Sequence, residues 1–466
     1  MRRLFFLVIL SFLLSPDQIF GQNKVPANAA KGWKAGVAKV VITPSQPMWM
    51  AGFASRTGPS EGKLHDLWAK ALALEDADGQ RSVLVTMDLL GLPKMISDTI
   101  RKALEYRYHL SKAQVILNSS HTHSGPVLST ALSDIYPTNQ EDEKKIEANS
   151  IRLTEQIINL VGTAIKNLAP ASLYGQNGVA RFQVNRRNND AAKLETLTAL
   201  LGPSDPSVPV IKVTDVNGNI IAIAFGYACH PTVLNGNQWS GDYPGFAQIE
   251  LEKLYPKATA LFFQGAGADQ NPLPRNTVPL AIQYGKTLAA AVERVLSEEM
   301  KALSPKLTTA YTEIDLSLTA APSKEELTKM AEKETGFQKR WAIRMLDKIK
   351  NRQPFQTTYP YPLQIWKLGD QAIMTLGGEL VSEYAINLKR IFGQSIFVMG
   401  YCNDVVSYIP TSTILREGGY EGDLAQIVYG LPATWVSDTE TKIMNGMIQL
   451  AEKVRVAKPE STLIHK

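Results

Sequence analysis

Short apolar runs bounded by Gly, Pro, Asn or Asp alternate along this chain with longer stretches in which apolar residues return every three or four positions. Runs of the first kind predict strands at 36–44, 71–75, 82–87, 114–118, 210–214, 220–227, 259–264, 365–367, 372–376 and 395–399. Stretches of the second kind predict helices near 94–106, 141–168, 244–255, 277–300, 323–351, 381–391 and 439–455. Strands and helices are interleaved throughout, so the class is mixed α/β. Asp215-Val-Asn-Gly-Asn219 between two apolar runs is a hairpin signal and makes at least part of the sheet antiparallel. The 323–351 segment is the most highly charged, and predicts either an exposed helical excursion with a solvated face or a cap over a site. No repeat, low-complexity tract or Gly/Ser linker interrupts residues 32–456, which are read as one main domain.

Composition adds boundaries to this picture. The 466 residues are 44% hydrophobic and 20% charged, ordinary for a folded chain with a sizeable core. Residues 1–21 differ: Arg2 and Arg3 precede an apolar run of about 11 residues and a short polar stretch, the pattern of a secretory signal peptide. The run is shorter than the roughly 20 residues a spanning helix needs. An exported protein, periplasmic or secreted, is expected, with an uncleaved N-terminal anchor as the alternative. The net charge of +5 is mild and the basic residues are interspersed with acids, which argues against nucleic acid as a partner. Cys229 and Cys402 are the only cysteines, and an exported chain could leave them free or join them.

Candidate chemistry gathers at strand ends. The predicted strand 114–118 delivers His121-Thr-His123 before a Gly-Pro break, and the strand 220–227 delivers His230 before Pro231. Imidazoles at strand ends suit a metal or acid-base site, although a lone His-x-His also occurs in ordinary loops. A third ligand is expected on a further strand end, and Glu379 after Gly377-Gly378 supplies one; a Glu at a helix N-terminus would look the same. Asp242 is placed either as a partner for an imidazole N–H or as an N-cap of the helix near Pro244.

Together these segments resemble a known family. Gly36-Val-Ala-Lys-Val-Val-Ile-Thr-Pro44, Ala51-Gly-Phe53 with Arg56, His121-Thr-His-Ser-Gly-Pro126, His230-Pro-Thr232, Ser240-Gly-Asp-Tyr-Pro-Gly245, Gly377-Gly-Glu379, and Tyr408-Ile-Pro-Thr411 followed by Gly419-Tyr-Glu421 resemble, in this order, the neutral/alkaline non-lysosomal ceramidases. The resemblance runs from about residue 32 to 425. It implies two mostly antiparallel sheets flanked by helices, and one Zn2+ held by His121, His230, Glu379 and Tyr408. It also implies catalytic roles for His123, for Arg186 (with the adjacent Arg187 as the alternative), and for Tyr420. The expected reaction is hydrolysis of the amide of ceramide or a related N-acylated compound by a metal-activated water, with His123 or Asp269 taking the proton.

The chain departs from that family pattern in the loop Gly265 to Pro272, where a catalytic serine is replaced by Asn271. An amide can hold a carbonyl oxygen or a water but cannot shuttle a proton as a hydroxyl does. The C-terminal β-sandwich domain of full-length members is also expected to be absent. These departures keep two alternatives open: a zinc hydrolase acting on a non-lipid ester, acetyl or glycan-derived substrate, and a catalytically silent metal-containing binding protein. The expected partner is a small molecule or a lipid, the latter bringing peripheral contact with a membrane.

Overall fold

The computed structural model describes residues 32–459. The expected leader lies outside the described residues. A nine-stranded sheet runs in the order Val115–Ser119, Arg81–Met87, Trp68–Glu75, Trp33–Val41, Ala169–Val179, Ser207–Asp215, Ile220–Tyr227, Thr259–Gln264, with Lys301–Ala302 added on Ala169–Val179. A four-stranded sheet follows the order Leu307–Ser317, Thr358–Leu368, Gln371–Leu376, Phe397–Met399. Most neighbours are antiparallel, including the expected hairpin at Asp215–Asn219. Within these two sheets three pairs are parallel: Arg81–Met87 with Val115–Ser119, Ile220–Tyr227 with Thr259–Gln264, and Gln371–Leu376 with Phe397–Met399. Pairs of this kind position the site.

Strands such as Ile220–Tyr227, Thr259–Gln264 and Gln371–Leu376 are buried on both faces, and the two-residue period of a strand divides their side chains between two cores. Ile223, Phe225 and Tyr227 pack with Val210 and Phe262 on one side. Ala222 and Ala224, alternating with them, join Leu261 and Phe263 in a core shared with Trp366, Leu368 and Ile373 of the four-stranded sheet. The outer faces are covered by helices: Gln140–Lys166 over Trp33–Val41 and Trp68–Glu75, Asp242–Leu254 over Thr259–Gln264, Val278–Ser297 over Ala169–Val179 and Ser207–Asp215, and Thr439–Lys453 over Leu307–Ser317 and Thr358–Leu368.

Helix Gln140–Lys166 shows why such elements form where they do. The Asn139 side chain accepts the Glu141 and Asp142 N–H groups, three acids occupy the first turn, and Ile146, Leu153, Ile157 and Ala164 are buried along one face. Gly36 lets this helix come close, because a Cβ there would lie 2.1 Å from the Ala164 carbonyl oxygen.

Strands Ala169–Val179 and Leu307–Ser317 were not foreseen, since most of their residues are only partly buried and polar ones stand where alternation would need apolar ones. The charged 323–351 segment is two helices, Lys324–Lys333 and Gly336–Lys350. They bury Leu327, Trp341 and Met345 in a small core of their own. Trp341 Nε1 donates to the Leu431 carbonyl at 2.9 Å and Arg344 Nη2 to that of Gly430 at 3.0 Å, so the pair braces the segment that carries Tyr420, Glu421 and Tyr429. Among the described residues no helix is long and apolar enough to cross a membrane.

Candidate metal centre

The three parallel pairs end at one place. The chain leaving Met87 and Ser119 brings Leu90 and His121, the chain leaving Tyr227 and Gln264 brings His230 and Gly267, and the chain leaving Leu376 and Met399 brings Glu379, Tyr401 and Tyr408. Tight turns make the delivery. His121 sits in the left-handed region at φ 65°, a conformation costing about 1 kcal/mol or more for a non-glycine residue, and its N–H is held by the Leu89 carbonyl at 2.9 Å. Glu379 pairs with Tyr408 in a two-residue parallel ladder.

Four polar atoms converge there. His121 Nε2 and His230 Nε2 lie 3.1 and 3.2 Å from Glu379 Oε2, and the Tyr408 hydroxyl is 3.2 Å from His230 Nε2. His123 Nε2 stands 3.3 Å from His121 Nε2. The three imidazoles offer ligand atoms within 4.8 Å of one another, a grouping that can hold a metal ion.

Tautomers make the case for a cation. His121 Nδ1 is 2.7 Å from the Leu90 carbonyl oxygen and His230 Nδ1 is 2.8 Å from that of Gly267, so each Nδ1 carries the proton it donates. Both Nε2 lone pairs then point at the Glu379 carboxylate, an arrangement that repels unless a cation lies between them. Ligands bonded at ~2.1 Å in a tetrahedral array sit roughly 3.4 Å apart, close to the separations seen. Burial and the nearby Arg186 bring the His230 imidazole down to about 4, keeping it neutral.

His123 differs from the other two imidazoles. Its Nδ1 is buried with no partner, lacking the carbonyl that orients a typical ligand histidine. Its ring packs 4.7 Å from that of Phe53, over Gly52, where a Cβ would fall 2.5 Å from the imidazole.

Outside this cluster lies a cleft of about 540 Å³ whose lining includes His123, Arg186, Asn271, Tyr408 and Tyr420. Arg186 is the inward arginine: Nη2 donates to the Tyr408 hydroxyl at 3.1 Å and Nε to Glu421 at 2.7 Å. Arg187 binds Glu417 and the other Glu421 oxygen instead. Asn271 Oδ1 is buried without a partner.

Asp269 corrects an expectation. It does not line the cleft; its carboxylate accepts the Ser382 N–H at 2.8 Å, the Ser382 hydroxyl at 2.9 Å and Asn185 Nδ2 at 2.9 Å. With its oxygens so engaged it holds loops together, and His123 is left as the group facing the cleft that can take a proton. Asp242 likewise gives its carboxylate to the N–H groups of Val233, Leu234 and Tyr243, while the imidazole N–H groups go to backbone carbonyls. Cys229 and Cys402 are free and buried.

The sequence reading missed Tyr429, whose hydroxyl donates to Glu379 Oε1 at 2.6 Å, and Tyr401, whose ring lies 4.4 Å from that of His121. Neither carries a local signal. Glu421 stands inside a quoted motif, and its pairing with two arginines appears only in three dimensions.

Two imidazoles, a carboxylate and a phenol thus converge at strand ends behind a polar cleft in a mixed α/β fold, a grouping that could hold a metal ion. The chain belongs to the neutral/alkaline non-lysosomal ceramidase family, whose N-terminal model matches residues 33–273. Neutral ceramidase B of Dictyostelium discoideum is 24% identical over 261 residues, which are 52% of this chain and 36% of that protein; the match spans little more than a third of the relative's length. A solved structure described as a ceramidase complexed with C2 overlays 91% of this chain and 76% of its own at a TM-score of 0.72 and 17% identity. The crystal structure of neutral ceramidase from Pseudomonas aeruginosa overlays 91% and 75% at 0.71 and 18% identity. These likenesses establish the fold. Glu379 and Tyr408 lie beyond the residues that the family model matches.

Proposed function

We propose that this chain is an exported, zinc-dependent amidohydrolase that cleaves the acyl–nitrogen bond of ceramide or a related N-acylated compound. The observation that carries the reading is the convergence of His121 Nε2, His230 Nε2 and the Tyr408 hydroxyl with Glu379 Oε2, with both imidazoles fixed by backbone carbonyls. Two nitrogens with oxygen donors suit zinc. Zinc held there would supply a Lewis acid that polarises a carbonyl and lowers the pKa of a water.

The protein's own groups do the rest. Arg186, fixed by Glu421, presents its guanidinium beside Tyr408, where negative charge on a carbonyl oxygen is stabilised. Tyr420, 40% exposed with its ring 5.3 Å from that of Tyr408, can donate to the same oxygen. His123, buried and neutral, accepts a proton and passes it to the departing nitrogen. Asn271 orients the substrate carbonyl or a water by its amide, and no side-chain nucleophile is required.

Metal analysis of the purified protein, with hydrolysis of ceramide and of a small N-acyl amide followed side by side, tests the reading. Stoichiometric zinc with turnover of either amide is expected; a zinc-loaded protein inert on both would sink it. The polar lining of the cleft favours, as a second reading, a non-lipid ester or acetyl substrate at the same site, which turnover of an ester probe alone would reveal.

A further inference from the structure

The cleft in front of the cluster is positively charged by construction. Its lining includes Arg186, Arg187 and Arg275, with Glu421 as the carboxylate among them. Glu421 serves both Arg186 at 2.7 Å and Arg187 at 2.8 Å, and Glu417 takes a further bond from Arg187 at 2.9 Å. Among the described residues Arg275 has no hydrogen-bond or ion-pair partner, although it is only partly exposed. Burial and the neighbouring Arg186 pull its guanidinium below the ordinary value, and the buried Asp242 carboxylate, engaged by the N–H groups of Val233, Leu234 and Tyr243, offsets this only in part.

Arg275 is not on a loose tether. It follows strand Gln270–Pro272, which carries Asn271, and precedes helix Val278–Ser297. Its loop is clamped on both sides: the Asn276 N–H donates to the Val233 carbonyl at 2.6 Å, and the Tyr284 hydroxyl to that of Pro274 at 2.8 Å. Thr232, 2% exposed, lines the same cleft, and its hydroxyl oxygen has no partner among the described residues. A guanidinium and a buried hydroxyl, both unsatisfied and lining one cleft, are donors in want of an acceptor.

We infer that Arg275 and Thr232 form an anion-binding subsite, and that the substrate is an N-acyl compound carrying a carboxylate or a phosphate near the scissile amide. This rests on the amidohydrolase reading and narrows it. A neutral lipid laid across the cleft would strip water from the Arg275 guanidinium and return nothing, whereas an oxyanion accepts from guanidinium and hydroxyl together. Arg186 and Arg187 are paired with Glu421, which leaves Arg275 as the guanidinium of the cleft without an ion-pair partner among the described residues.

Three probes of one chain length separate the possibilities: N-octanoylglycine, its uncharged isostere N-octanoylglycinamide, and N-octanoyl-O-phosphoethanolamine. The zinc-loaded protein is expected to prefer one of the anionic probes over the neutral one in kcat/KM by on the order of 10- to 100-fold, the range for a charge-assisted hydrogen bond. Which of the two it prefers identifies the anion as carboxylate or phosphate. Arg275→Ala should collapse that ratio towards unity and Arg275→Lys should restore part of it, the neutral probe serving as internal reference for folding. Equal rates on all three probes, or a preference that survives Arg275→Ala, would overturn the subsite. If none of the three is hydrolysed, the amidohydrolase reading is decided by the ceramide assay above. The subsite is then judged by calorimetry, where binding of N-octanoylglycine that weakens about tenfold in Arg275→Ala upholds it, and absent or equal binding removes it.

Discussion

The groove between helices Lys94–Tyr108 and Gln140–Lys166 has a volume of about 660 Å³ and the cleft in front of His123 about 540 Å³, yet the two are made of opposite materials. Side chains such as Ile96, Val127, Leu128 and Leu132 line the groove, with Met95 and Ile151 largely exposed at its mouth. The cleft is lined by arginines, an imidazole, an amide and two phenols, and the ligand cluster lies directly behind it. The groove can shelter a chain, but its polar lining is hydroxyls and the carboxylates Glu143, Glu147 and Glu155, with no arginine or imidazole to stabilise developing negative charge. Reaction needs convergent polar atoms whose positions are set before substrate arrives. Size alone would have chosen the wrong cavity.

The comparison is broken most decisively at the cluster. His230→Ala or Glu379→Gln should lose stoichiometric metal and lower turnover by on the order of a thousandfold or more, since the remaining donors hold a cation far less well. Metal analysis and single-substrate rates check this, and full metal occupancy in His230→Ala would remove that residue from the set. Asp269→Ala should destabilise the fold by roughly 3 kcal/mol, because it strands the Ser382 and Asn185 donors in the interior, while the purified protein keeps its metal. Denaturant unfolding beside metal analysis separates the two effects.

Asn271→Ala should cost roughly 1 to 3 kcal/mol in barrier, the loss of one hydrogen bond near developing charge, and Asn271→Ser should remain active. Steady-state kinetics decides between this and a reaction that depends on a hydroxyl, in which case Asn271→Ser would raise the rate. Tyr429→Phe should weaken metal affinity about tenfold by freeing Glu379 Oε1, measured by competition with a chelator. Ile151→Glu, at the mouth of the apolar groove, should change kcat/KM less than about twofold and stability less than about 0.5 kcal/mol. A large rise in KM for long-chain amides alone would show that the groove takes part after all.

How much of this was legible in the chain follows from where the information resides. Strands Ile220–Tyr227 and Thr259–Gln264 coincide with the expected spans, because fully buried runs between turn residues leave little choice. His121, His230 and Glu379 were visible because a titratable residue just past an apolar strand is an uncommon local event. Tyr429 was not, since its partner is 50 positions away and nothing around it marks a site. By sequence Asp269 is an alternative to His123 as the proton acceptor. Only the packing of Ser382 and Asn185 around its carboxylate shows that its bonding capacity is spent.

Because the three parallel pairs of the two large sheets point their C-terminal ends at the cluster, the opposite ends of the same strands lie away from it. Strand Ile220–Tyr227 spans roughly 25 Å, and it begins at the turn Asp215–Asn219. There the Asp215 carboxylate holds the Asn217 and Asn219 N–H groups, Val216 is 76% exposed, and Gly218 has open space around it. A reporter domain or a new pair of termini placed between Asn217 and Gly218 would ride on the far side of the sheet from His230, making this turn the natural place to open or extend the chain without touching what it holds.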